Sequence, residues 1–144
     1  MIDRTKVPAL EDLKQKEQHE EESFTAALMK FLRELFDKIF GRSCTFEEFL
    51  SETGEYFDER IRQKEARDKV KYAGGKITFT LSGDKVDMVS KLYFFNDEAE
   101  KWTVQESSNS VDKSRFKDWD TDEDLQRLSR GETVELDINP PDEN

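Results

Sequence analysis

Apolar positions along this chain change their period from one stretch to the next. Between residues 24 and 40 they fall at Phe24, Ala27, Leu28, Phe31, Leu32, Leu35, Phe36 and Ile39, which is one stripe at helical spacing. Ser23 is placed to cap that helix and Gly41 to stop it. A second helical pattern runs through Phe46, Phe49, Leu50, Thr53, Phe57 and Ile61. It opens on Thr45-Phe46-Glu47-Glu48, a capping box in which the hydroxyl serves one orphan amide and the carboxylate another. Gly54 interrupts this pattern and predicts a kink or a break, since glycine costs about 1 kcal/mol relative to alanine inside a helix. Residues 58–69 are almost wholly charged, so the helix should end as an exposed, solvated tail.

Beyond Lys69 the period falls to two. Residues 70–73, the pair Gly74-Gly75 and residues 76–81 predict a hairpin, with Ile77, Phe79 and Leu81 on one face. Ser82-Gly83-Asp84 predicts a second turn and residues 96–100 a third. The run Leu92-Tyr93-Phe94-Phe95 is apolar on both faces, which predicts a central or doubly covered strand. Trp102 and Val104 alternate with polar residues, and 106–114 is polar enough to predict a loop. A short helix near 121–129 and a strand over 133–138 follow, before Pro140-Pro141 ends regular structure.

The assembled order is α-α-β-β-β-α-β. It predicts an α+β fold in which two N-terminal helices pack on a mainly antiparallel β-meander, the Phe stripe of 24–40 meeting the Ile77/Phe79/Leu81 face. Residues 1–22 are expected to form a charged helix or a flexible lead-in, 23–138 a single domain, and 139–144 an acidic tail. The opening segment is polar and mostly acidic, unlike a signal peptide, and no apolar run approaches the ~20 residues of a membrane span.

Charge narrows the function classes. The chain has 34 acidic and 23 basic residues among 144, a formal net charge of −11. Residues 115–144 hold ten acids against four bases, so the acidity concentrates at the C-terminal end. Phosphates would be repelled, so direct nucleic-acid binding is not expected. One cysteine, Cys44, precludes an intramolecular disulfide and favours a reducing, cytoplasmic compartment.

The residues for bond-making are sparse. His19 and Cys44 are the only histidine and cysteine. Cys44 stands beside a helix N-terminus, which could lower its pKa, but no base accompanies it and an inert thiol is the expectation. No phosphate loop, CxxC or HExxH pattern occurs, so no catalytic residue, metal site or cofactor is assigned. Residues 118–124 place carboxylates at every second position, as calcium loops do, but Glu123 and Ser129 stand where such a loop needs glycine and a bidentate glutamate. A helix start capped by Asp120 or Thr121 explains the same residues.

These features favour a small acidic binding or adaptor module, of inhibitor, immunity or escort type, over an enzyme. It would dock a protein with a basic surface through Asp118, Trp119, Asp120, Asp122, Glu123, Asp124, Glu132, Glu135 and Asp137. The alternative is a small-molecule-binding or enzymatic roll whose pocket, between helices and sheet, is lined by Tyr72, Phe79, Tyr93 and Trp102. A deep pocket holding a buried carboxylate or tyrosine hydroxyl without a structural partner would favour that alternative. A homodimer contact through the aromatic strand faces also remains open.

Overall fold

A computed structural model describes residues 2–3, 19–23, 25–34 and 43–141. The molecule is α+β, with three helices on one face of a sheet. The strands are β1 (Ile2–Asp3), β2 (His19–Ser23), β3 (Lys71–Ser82), β4 (Lys85–Asn96), β5 (Lys101–Asp112) and β6 (Val134–Ile138). Helix α1 is Thr25–Glu34, α2 is Phe46–Asp68 and α3 is Glu123–Ser129; a 3-10 turn at Lys113–Arg115 follows β5. The sheet order is β1-β6-β3-β4-β5-β2, antiparallel throughout except where β2 pairs parallel with β5. No helix among the described residues is long and apolar enough to cross a membrane.

The centre of the sheet is a meander of three strands, each 12 residues long. Strand β4 lies inside it, as the two-faced apolar run at 92–95 predicts: Leu92 and Phe94 join the core, and Tyr93 is also buried on the opposite face. Two expected features are corrected. Gly74-Gly75 is not a hairpin turn. It lies inside β3, at a register shift between Tyr72 and Gly74, so the strand bulges and continues. The bulge lets the Tyr72 ring cross the strand and donate its hydroxyl to the Ile138 carbonyl of β6. Gly75 is what makes room, since a Cβ there would lie 2.5 Å from the Lys91 carbonyl oxygen and 2.6 Å from the Tyr72 hydroxyl. Residues 106–112 are not a loop either. Glu106 to Asp112 pair in register with Lys91 to Lys85, and a largely polar run continues the strand where a loop was expected.

The helices also differ from expectation. Helix α2 runs unbroken through Gly54, which is buried beside β1 and lines a shallow cleft with Ile2. Its charged tail keeps an inward face, where Ile61 is fully buried and Lys64, 4% exposed, is ion-paired to Asp68. The phenylalanines that meet Phe79 are Phe46 and Phe49 of α2, with ring centroids 5.3 and 6.4 Å away. Helix α1 lies instead over β5, anchored by Leu28 and Leu32 and by Phe31 stacked on Tyr56 at 4.4 Å. The expected residues 35–40 and the Gly41 stop lie outside the described residues. So do residues 4–18 of the expected lead-in, whereas 19–23 form the edge strand β2 rather than helix, because β5 offers a free pairing edge there.

Buried apolar side chains from α1, α2, α3, β3, β4 and β6 form one cluster. Each fully buried phenylalanine or leucine in it contributes about 1.5–3 kcal/mol relative to exposure. Under α1 the sheet is different. Ser90, Gln105 and Ser107 are buried there, and the Ser90 and Ser107 hydroxyls find no hydrogen-bond partner among the described residues. Each such oxygen costs about 1–3 kcal/mol of desolvation.

Replacing Gly75 by Ala should destabilise the protein by about 3 kcal/mol, because neither the Lys91 backbone nor the bonded Tyr72 ring can withdraw. Replacing Gly83 by Ala should cost only about 1 kcal/mol, since its φ of +62° is left-handed but its surroundings are open. Urea denaturation of the two variants measures the difference; equal losses would show that the close approach in β3 is absent.

Candidate functional site

The acidic C-terminal residues fall into two groups. The first is built on the N-terminus of α2. Thr45 caps it, its hydroxyl accepting from the Glu48 N–H and its own N–H donating to the Glu48 carboxylate, each at 3.1 Å. The expected capping box is therefore present. Hydrogen bonding to the carboxyl from the Thr45 backbone N–H and from the Thr45 side chain holds Glu48 below the usual carboxylate range, helped by Lys117. The Phe46 N–H donates to the Asp118 carboxylate at 3.0 and 3.2 Å. Asp118 thus serves as a second cap on α2 from 72 residues away.

Alongside, the chain before Asp118 is laced to the chain before α2. The Cys44 N–H donates to the Arg115 carbonyl at 2.9 Å, and the Lys117 N–H to the Cys44 carbonyl at 3.0 Å. The Asp122 N–H donates back to the Asp118 carbonyl at 2.9 Å, and Asp122 caps α3 through the Asp124 and Leu125 amides at 2.9 and 3.1 Å. The cap of α3 is therefore Asp122 rather than the expected Asp120 or Thr121; it is the residue whose carboxylate reaches the orphan amides. As a result Glu47, Glu48, Asp118, Asp120, Asp122, Glu123 and Asp124 share one corner, where among the described residues Lys117 is ion-paired to Glu48, Arg127 to Asp124, and Lys113 lies over Trp119. Trp119 is half-buried on the core, under the Lys113 ammonium at 5.7 Å, and its carbonyl accepts from Gln126.

Glu132, Glu135 and Asp137 do not join this corner. Glu132 is ion-paired to Arg127 and Arg130 at the end of α3. Glu135 and Asp137 pair with Thr78 and Lys76, on the sheet face away from the helices, while Val134, Leu136 and Ile138 face inward. Nor do the four aromatic residues of the alternative pocket converge. Tyr72 and Phe79 stand on the helix side, where Tyr72 packs on Phe94 at 5.5 Å. Trp102 packs on Phe95 at 5.0 Å on the other side, with Tyr93 and its neighbour Val104. Strand pairing places them on opposite faces. The Tyr56 hydroxyl on α2, facing α1, is buried and has no hydrogen-bond partner among the described residues, but Tyr56 is not one of these four.

Cys44 is fully buried, and burial together with Glu48 and Asp118 pushes its thiol up to about 12. The helix N-terminus does not activate it, because two carboxylates already occupy that end. No group of three or more His, Cys, Asp or Glu residues placed to hold a metal ion occurs among the described residues.

Sequence reasoning missed one feature. A cleft of about 250 Å³ opens where α1 passes the far end of β5. Arg33 of α1, Lys85 at the start of β4, Asn109, Ser110 and Asp112 of β5, and Arg115 of the 3-10 turn line it, over a floor of Leu32 and Val111. Its three cations are 52 and 30 residues apart along the chain, and the β4–β5 register together with the position of α1 on β5 brings them together.

Compared with protein-family models, with curated proteins and with solved structures, the chain matches none.

Asp118→Ala should destabilise the protein by about 1–2 kcal/mol in thermal or urea unfolding, while Asp120→Ala, whose side chain is exposed and caps nothing, should be neutral within about 0.5 kcal/mol. Cys44 should stay unmodified by a disulfide-exchange reagent in native buffer at pH 8 and react at once in denaturant; rapid native labelling would contradict its burial and raised thiol pKa.

Proposed function

We propose that this protein is a small cytoplasmic binding module that docks a partner with a basic protein surface through the corner formed by Glu47, Glu48 and residues 118–124. The observation that carries this reading is the clasp between Phe46 and Asp118, which sets the acidic first turn of α2 beside the acidic approach to α3. Seven carboxylates against Lys113, Lys117 and Arg127 make a patch of negative surplus. Such a patch speeds encounter with an oppositely charged surface and rejects like-charged ones.

The corner divides its labour. Asp118 and Asp122 are spent on helix caps and Asp124 is ion-paired to Arg127 at 3.7 Å, so they supply fixed negative potential. Asp120 and Glu123 are exposed and take part in no cap, so they are the groups a partner's lysines or arginines would meet. Glu132, Glu135 and Asp137 lie elsewhere and are left out of the contact.

A double charge reversal, Asp120→Lys with Glu123→Lys, leaves both caps intact and tests the reading. Wild-type and variant proteins serve as parallel baits in native extract. A partner held by the wild type, lost at least about tenfold in affinity by the variant and weakened steeply between low and high salt supports the proposal. A partner retained equally by both baits, or indifferent to salt, overturns it.

A further inference from the structure

Buried hydroxyls gather where α1 and α2 meet above β4 and β5. Phe49 of α2 packs on Phe79 of β3 with ring centroids 6.4 Å apart, and near the other end of the helix the Tyr72 N–H donates to the Glu65 carboxylate at 3.0 Å. Helix α2 therefore runs back along β3. Four helical residues rise about 6 Å and two strand residues span about 6.6 Å, so Thr53 stands level with Ile77. Ile77 is paired to Ser90 of β4, and Ser90 to Ser107 of β5, all on the face that the helices cover. Beyond Thr53 by one turn, Tyr56 turns toward α1 and stacks on Phe31 at 4.4 Å.

Thr53, Ser90 and Ser107 are at most 2% exposed. Their hydroxyls and that of Tyr56 are buried, and none of them has a hydrogen-bond partner among the described residues. Buried polar groups are otherwise hydrogen-bonded, so orphan oxygens from α2, β4 and β5 at one level of the fold mark a lined site rather than scattered defects. Alanine or valine at Thr53, Ser90 and Ser107 would avoid the desolvation cost altogether. The groups share one chemistry, since a neutral hydroxyl both donates and accepts. Burial holds the Tyr56 phenol above its ordinary pKa, so it too keeps its proton.

We propose that this seam is an internal water site, in which at least one ordered water bridges Thr53 of α2 to Ser90 and Ser107 of the sheet, with the Tyr56 hydroxyl beside it. Water has two donors and two acceptors and so matches a ring of hydroxyls, and burial this complete suits a ligand of a single heavy atom. Directly opposite strand residues have Cβ atoms about 4.5–5.5 Å apart, a span that one water closes with two hydrogen bonds of ordinary length. The water then returns the hydrogen bonds that Ser90 and Ser107 give up on burial and ties α2 to β4 and β5 by polar contact. This inference is independent of the acidic corner and stands or falls without it.

Two measurements on the full chain test it. Magnetic relaxation dispersion of the water oxygen nucleus counts slowly exchanging buried waters without interference from hydroxyl protons. Its amplitude should fall by at least one water per molecule in the double variant Ser90→Val with Ser107→Val, whose methyl groups take up the space. Urea unfolding of the single variants Ser90→Ala and Ser107→Ala supplies the second measurement and decides alone where the double variant does not fold. Each should lower the folding equilibrium constant at least about threefold relative to Ser110→Ala, an exposed site on the other face of β5, because the bridging water loses a partner. A hydroxyl with no water on it predicts the opposite sign, since its removal relieves a desolvation cost. The proposal is overturned by a dispersion amplitude equal in wild type and double variant, or by Ser90→Ala and Ser107→Ala variants as stable as Ser110→Ala or more so.

Discussion

The rest of the structure depends on how the segment at 115–118 is held against the segment at 44–46. Two backbone hydrogen bonds join Cys44 to Arg115 and Lys117, and the Asp118 carboxylate receives the Phe46 amide. Beneath these bonds, Phe116 meets Phe46 and Phe49 edge-on at 5.5 and 5.3 Å, and both meet Phe79 of β3 in the same manner. Edge-to-face rings at these distances add about 0.5–1.5 kcal/mol per pair to the burial of their area. The joint therefore combines a directional part, which sets register, with a dispersive part, which supplies energy. It closes a loop of about seventy residues. The start of α2, the end of the meander and the approach to α3 are thereby fixed to one another.

Much of this was legible in the sequence, and the exceptions share a cause. The order of elements, the capping box at Thr45, the turn at Gly83 and the central place of 92–95 all follow from local pattern, because cap, turn and period are local physics. Gly74-Gly75 misled because a glycine pair serves equally for a hairpin and for a bulge. What decides between them is the Tyr72 ring and the Lys91 carbonyl, and neither proximity is encoded nearby. Residues 106–112 misled because a polar run signals a loop only where the strand would otherwise be covered by apolar packing. Here β4 supplies a full register of partners, and α1 covers the polar face of β5.

The candidate site was legible only in its charge. The carboxylates at 118–124 were apparent as a cluster, yet helix capping and partner docking ask for the same residue types at the same spacing. The structure separates the two uses: Asp118 and Asp122 have their oxygens on amides, whereas Asp120 and Glu123 have theirs in solvent. The cationic cleft had no signal at all. Arg33, Lys85 and Arg115 are ordinary surface residues until β4 and β5 pair and α1 lies across them.

The joint also explains why charges of opposite sign can stand so close in the chain. Arg115 and Asp118 are three residues apart and serve opposite ends of the same turn. The N-terminus of α2 presents unsatisfied amides and a partial positive charge, so a carboxylate there is stabilised and a guanidinium would be repelled. Asp118 takes that position, and the 3-10 turn at Lys113–Arg115 leaves Arg115 to line the cleft beside β5. Exchanging the two residues would cost the α2 cap and bring a carboxylate against Asp112 at once. Helix polarity at this turn thus decides which of the two residues faces α2, while Arg33 and Lys85 reach the cleft through α1 and the β4–β5 register, and the net charge of the chain by itself predicts neither surface.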